Sequence, residues 1–120
     1  MTQTSSKPLV GIVGPCGSGK TTLTHSLEQH QIQVRHIAQE HSYVPDMWQR
    51  ISHPNLLIYL EVSFENATKR RKLNWTIPEY EEQLHRLRHA REHADLVLKT
   101  DQISPDEVLH AVLQFIQNKF

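Results

Sequence analysis

Apolar positions along this chain alternate between two kinds of pattern. Leu9–Val13 and Leu56–Val62 are short, nearly unbroken apolar runs, as expected of strands buried on both faces of a parallel sheet. Ile32–Ala38 mixes apolar and polar positions, and Leu96–Thr100 closes the series; both read as further strands. Between the runs the spacing changes to that of helices. Leu23 and Leu27 lie one turn apart, so a helix is predicted from Lys20 to about His30. Pro45 opposes helix at Val44, which makes Glu40–Asp46 a loop. Asp46 is then placed to cap a short helix over Met47–Ile51, stopped by His53-Pro54-Asn55. Ser63 is placed to cap a helix from Phe64 to about Leu73, which Asn74-Trp75 ends. Thr76-Ile77-Pro78-Glu79 and Ser104-Pro105-Asp106-Glu107 are capping boxes with proline in the first turn. The first opens a long helix to about Ala94; the second opens a final helix with Val108, Leu109, Val112, Leu113 and Ile116 as its apolar stripe. Strands alternating with helices predict an α/β fold of three layers, with a reduced parallel sheet of about four strands and right-handed crossovers.

The candidate chemistry sits at the end of the first strand. Gly14-Pro15-Cys16-Gly17-Ser18-Gly19-Lys20-Thr21 fits G-x-x-x-x-G-K-[ST], and it has the strand before it and the helix after it that a phosphate-binding loop requires. Glycines let backbone N–H groups converge on one anion, and the helix N-terminus adds partial positive charge. Lys20 can reach terminal phosphates, Thr21 can ligate Mg²⁺, and Thr22 follows in the first turn. Ligands of parallel sheets bind at the carboxyl ends of the strands. That edge gathers the glycine loop, the Glu40 loop, the Val62–Ser63 junction and the Thr100-Asp101 turn.

Composition narrows the partners. The 120 residues suffice for one domain over 8–120, with residues 1–7 read as a frayed tail. Lys+Arg and Asp+Glu both number 13, so no global charge draws the chain to nucleic acid or a membrane. Nine histidines raise the net charge below about pH 6.5. The single cysteine argues against an internal disulfide and a Cys-based zinc site, and fits a reducing cytoplasm. No apolar run approaches about 20 residues, and the N-terminus does not read as a secretory signal. Neither Asn-Lys-x-Asp nor Asp-x-x-Gly after a strand is present, which speaks against a GTPase; the absence of Ser-Gly-Gly speaks against a transporter ATPase.

Two further stretches carry a family likeness. The run from Pro54 through Arg71 resembles the strand and arginine-bearing helix before the lid of thymidylate-kinase-like enzymes. The run from Ala94 through Val108 resembles their last strand and helix. The chain thus resembles a small nucleotide-kinase-like member of the P-loop NTPase superfamily. The resemblance implies ATP and Mg²⁺ as cofactors and a small acceptor of the γ-phosphoryl group. It implies Arg70, or Arg71 beside it, as the lid arginine, and a nucleotide base bordered by Thr100-Asp101-Gln102. The chain departs from the family in its middle. Only about twenty-five residues separate Ile32 from Leu56, too few for the usual acidic strand and acceptor-binding segment. Glu40 is then the first candidate acid for Mg²⁺ support or general-base work, and Asp46 the second. Glu40-His41-Ser42-Tyr43 and Met47-Trp48 remain to build an acceptor pocket. The competing expectation is a reduced nucleotide-binding module or slow ATPase without an acceptor site, acting as a switch or partner. A partner surface, a homodimer included, is expected at Trp48 or Trp75. His85, His89 and His93 share one helix face; adjacent pairs could hold a metal, but a solvated surface is the expected role.

Overall fold

A computed structural model describes residues 8–72 and 74–120; the predicted tail over 1–7 and the predicted helix end at Leu73 lie outside them. Among the described residues are four strands: β1 (Leu9–Val13), β2 (Gln33–His36), β3 (Leu56–Glu61) and β4 (Leu96–Lys99). They form one parallel sheet in the order β2-β1-β3-β4. From β1 the chain steps outward to β2, then crosses back to β3 on the other side. The order therefore reverses beside β1, and the loop leaving β1 opens onto that crevice.

The helices are α1 (Lys20–Gln29), α2 (Met47–Ser52), α3 (Phe64–Arg71), α4 (Ile77–Arg86), α5 (Arg88–His93) and α6 (Pro105–Lys119). Alternation along β3 divides the core in two. Leu56, Ile58 and Leu60 join Leu23 and Leu27 of α1 and Val108 and Val112 of α6 on one face. Leu57 and Tyr59 join Trp48 of α2, Leu87 and Ala90 of α5 on the other. This is the expected three-layer arrangement. Asp95 stitches the sheet at its entry edge: its carboxylate accepts from the Leu57 N–H at 2.8 Å, and its own N–H donates to the Leu57 carbonyl.

Three local expectations need correction. The long helix predicted to Ala94 is broken at Leu87, whose N–H is shared between the Gln83 and Leu84 carbonyls. Leu87 is fully buried, so this tightened turn sits where the helix is pinned to the sheet. Asp46 occupies the N-cap of α2 but makes no side-chain cap; its carboxylate accepts from Arg50 at 2.9 Å instead. Trp48 offers no partner surface, being only 5% exposed. Ser63 caps α3 by accepting from the Asn66 N–H, and both capping boxes form.

In the second box, Ser104 accepts from the Glu107 N–H and Glu107 accepts from the Ser104 N–H. The Ser104 bonds hold the Glu107 carboxyl below its ordinary range. Ser104→Ala is expected to lower stability by about 1 kcal/mol in urea unfolding at neutral pH. Because the folded-state value is the lower one, the Glu107 contribution is present above its ordinary pKa and fades as pH falls through the folded value. Position 104 keeps its backbone N–H in the mutant, so parent and mutant should both lose this contribution in acid while the difference left by the missing hydroxyl cap persists.

Candidate active site: the glycine loop and its acid

The loop from Gly14 to Thr21 leaves the C-terminal tip of β1 and ends in the first turn of α1, as the motif requires. Gly14, Gly17 and Gly19 all have positive φ (154°, 84° and 100°), a region that favours glycine. Gly17 also lies against α3: a Cβ there would stand 2.8 Å from the Ala67 Cα. Ala67 is itself fully buried. The loop is thus seated on the helix that carries the basic run.

Lys20 is turned inward, with 6% of its surface exposed. Its ammonium donates to the Gly14 and Pro15 carbonyls at 2.6 and 3.2 Å and pairs with Glu40 Oε2 at 3.0 Å. Glu40 lies in a short 3-10 turn (Gln39–His41) just beyond β2 and is 3% exposed. Its neighbour Gln39 anchors that turn by accepting from the Trp48 N–H at 2.7 Å and donating to the Val44 carbonyl at 2.9 Å. Only one carboxylate oxygen of Glu40 is engaged; Oε1 is buried and without a hydrogen-bond partner. An unpartnered buried carboxylate oxygen is costly, and it marks a position suited to a cation or a proton. His36, at the end of β2, faces the same ground. Burial, then the Lys20 charge, hold its imidazole below the ordinary value, against an opposing pull from Glu40.

A cavity of about 630 Å³ opens over this group. Cys16 through Thr22 line one side, with Glu40, His36 and His41 at one end. Arg70, Arg71 and Thr100 line it too. Arg70 donates to the Thr100 hydroxyl at 2.9 Å, to the Thr100 carbonyl, and to the Gly17 carbonyl at 3.3 Å. The Thr100 hydroxyl donates to the Ser18 carbonyl at 3.2 Å. Loop, α3 and the end of β4 are thereby tied together.

The structure brings most of the candidate residues to one place. Asp46 stands apart, paired with Arg50. Asp101 does not line the cavity; it accepts from the Ser63 N–H at 2.9 Å and the Asn66 amide at 2.8 Å. Burial would raise its carboxyl, but those bonds and the Arg70 charge outweigh it and hold the group below its usual range. Residues that sequence reasoning did not assign to the site also line it. Ile103, Pro105 and Val108 give it an apolar wall, foreshadowed only by the capping box that starts directly after the last strand. A second hollow of about 420 Å³ lies beyond His41, lined by Trp75, Pro78, Glu79, Glu82, Gln83 and Arg86. Trp75 packs between Phe64 and Tyr80 and donates to the Thr68 hydroxyl at 2.8 Å. Tyr43, expected in an acceptor pocket, is 83% exposed beneath Arg86.

No protein-family model matches the sequence, and no curated protein matches it significantly. Solved structures do match. Among them is shikimate kinase from Acinetobacter baumannii in complex with shikimate, at a TM-score of 0.61 and 15% identity, covering 95% of each chain. The α/β fold with its four-stranded parallel sheet matches the fold of that kinase. No described helix is long and apolar enough to cross a membrane.

Two measurements test this geometry. Gly17→Ala is expected to lower stability by about 2 kcal/mol or more in chemical denaturation, because the added methyl meets α3 and the φ is unfavourable. His36 is expected to titrate below 6.5 by NMR. Its folded value lies under its unfolded one, so its stabilising contribution is complete above about pH 6.5 and declines as pH drops toward the folded value.

Proposed function

We propose that this chain is an Mg²⁺-dependent, ATP-binding P-loop phosphotransferase that passes the γ-phosphoryl group to a small acceptor. The observation that carries the reading is the buried pair between Lys20 of the glycine loop and Glu40 of the turn after β2, at a cavity large enough for a nucleotide. The loop amides and Lys20 bind the phosphates. Lys20 exchanges its bonds to the Gly14 and Pro15 carbonyls for phosphate oxygens. Arg70 and Arg71 close over the transferring group from α3, where a guanidinium meets its charge. The wall of Ile103, Pro105 and Val108, with Thr100, receives the base, and Asp101 holds that turn from behind through Ser63 and Asn66.

The residues present fit Mg²⁺: Thr21 offers its hydroxyl from the first turn of α1, and Glu40 presents a free carboxylate oxygen. When bound, the ion neutralises phosphate charge. Glu40 either supports it through water or takes the proton of the acceptor hydroxyl. Asp46, held by Arg50, is the weaker candidate for either role. The acceptor is assigned to the hollow beyond His41, a residue that lines both cavities. The likeness of Pro54–Arg71 to thymidylate-kinase-like enzymes places nucleoside monophosphates among the acceptors to test, and the likeness to shikimate kinase adds shikimate.

The alternative is a nucleotide-binding module or slow ATPase. One observation favours it: α2, the only α-helix described between β2 and β3, points Trp48 into the core rather than toward a cavity. The experiment is ADP release from ATP and Mg²⁺, with and without a panel of nucleosides, nucleoside monophosphates and small hydroxy acids. Acceptor-dependent release is the expected result; nucleotide binding without it selects the module. Lys20→Ala should weaken binding of a non-hydrolysable ATP analogue at least tenfold by calorimetry, and Glu40→Gln should lower turnover about a hundredfold while retaining nucleotide.

A further inference from the structure

Folding brings the lone cysteine to two other donors at the lip of the glycine loop. Cys16 Sγ lies 3.8 Å from His41 Nε2, and His41 Nε2 lies 3.7 Å from Glu40 Oε2. A donor atom from each of the three falls within 4.8 Å of the others. Zinc held by sulfur at about 2.3 Å and nitrogen at about 2.0 Å spaces tetrahedral ligands by roughly 3.5 Å. The three groups therefore need only small rotations to meet one ion.

We propose that Cys16, Glu40 and His41 form a transition-metal site, for Zn²⁺ or an ion of similar softness, which shares Glu40 with the Mg²⁺ position assigned to Thr21 but draws its other ligands from Cys16 and His41. Four observations carry it. The donor set of sulfur, imidazole and carboxylate selects Zn²⁺ over Mg²⁺, which prefers oxygen alone. Glu40 turns Oε2 toward His41 while Lys20 holds that oxygen at 3.0 Å, and its second oxygen, Oε1, is buried without a partner, so the carboxylate has unused capacity to ligate. Gln83 fixes Cys16 from behind, donating its amide to Sγ at 3.3 Å and accepting from the Cys16 N–H at 3.0 Å, outer-shell bonds that orient the sulfur. His41 is 58% exposed, so an ion can enter from solvent. On binding, the thiol proton passes to water. Thiolate and carboxylate then match the charge of the ion, and water fills the fourth position. The sequence argued against a zinc site built on cysteines; the fold supplies a mixed set instead.

A regulatory consequence rests on the nucleotide-binding reading above: an ion holding Glu40 takes that carboxylate from Lys20 and sits over the phosphate cradle, so zinc and nucleotide compete.

The test is titration of the reduced full-length protein with Co²⁺, without nucleotide. One equivalent should bind with a near-ultraviolet thiolate charge-transfer band, and Zn²⁺ should displace it. Cys16→Ser should abolish the band, and Cys16→Ser and His41→Gln should each weaken Zn²⁺ binding tenfold or more. His89→Gln, on the stacked His89–His93 pair, should leave affinity unchanged. Circular dichroism checks that the variants fold, and His41 is exposed enough to be replaced without touching the core. Uptake of Co²⁺ without a thiolate band, or unchanged affinity in His41→Gln, overturns the site. A tenfold loss of ATP-analogue affinity in the zinc-loaded protein supports competition; unchanged affinity refutes it. The metal titration needs no nucleotide, so it stands whether or not the kinase reading does.

Discussion

Lys20 is a cation with almost no access to water, and the site is arranged around that fact. Burying an ammonium is expensive unless a counter-charge and acceptors surround it. Glu40 supplies the charge, and the Gly14 and Pro15 carbonyls supply the acceptors. Meeting this need fixes the position of the segment after β2. The 3-10 turn must bring Glu40 against the loop, and Gln39 holds that turn to α2 through the Trp48 N–H. A pair of opposite charges thus couples β1, the residues after β2, and the far helical layer.

The second constraint is steric. Gly17 lets α3 approach the loop closely enough for Arg70 to bond the Gly17 carbonyl and Thr100. Thr100 reaches back to Ser18. Three separate elements are therefore positioned by a few short contacts at one sheet edge. With the apolar wall from α6, they enclose a cavity although the sheet has only four strands.

How much of this was legible in the sequence varied with the physics involved. Leu9–Val13 and Leu56–Val62 were clear because strands buried on both faces need continuous apolar runs. Both capping boxes were clear because their partners are three residues apart. The glycine loop carried its own flanks. Leu87 gave no local sign of a break, since its turn is tied to packing against the sheet, a long-range effect. Trp48 was ambiguous because a tryptophan suits a pocket wall and a core equally well. The choice between Glu40 and Asp46 could not be read from their spacing; it depends on which loop folds inward. His41 was read only as a residue of an acceptor pocket, because Cys16, which the fold brings to within 3.8 Å of it, is distant in sequence.

Placing β1 and β3 at the centre leaves β2 and β4 as the outer strands, each with one backbone ladder unpaired among the described residues. Such ladders invite another chain to add on. Here the two rims are short and carry Arg35 on one side and Lys99 on the other. Their basic fringe makes stacking of rim upon rim electrostatically unfavourable. A sheet this small can therefore keep both margins open without becoming a template for fibrils.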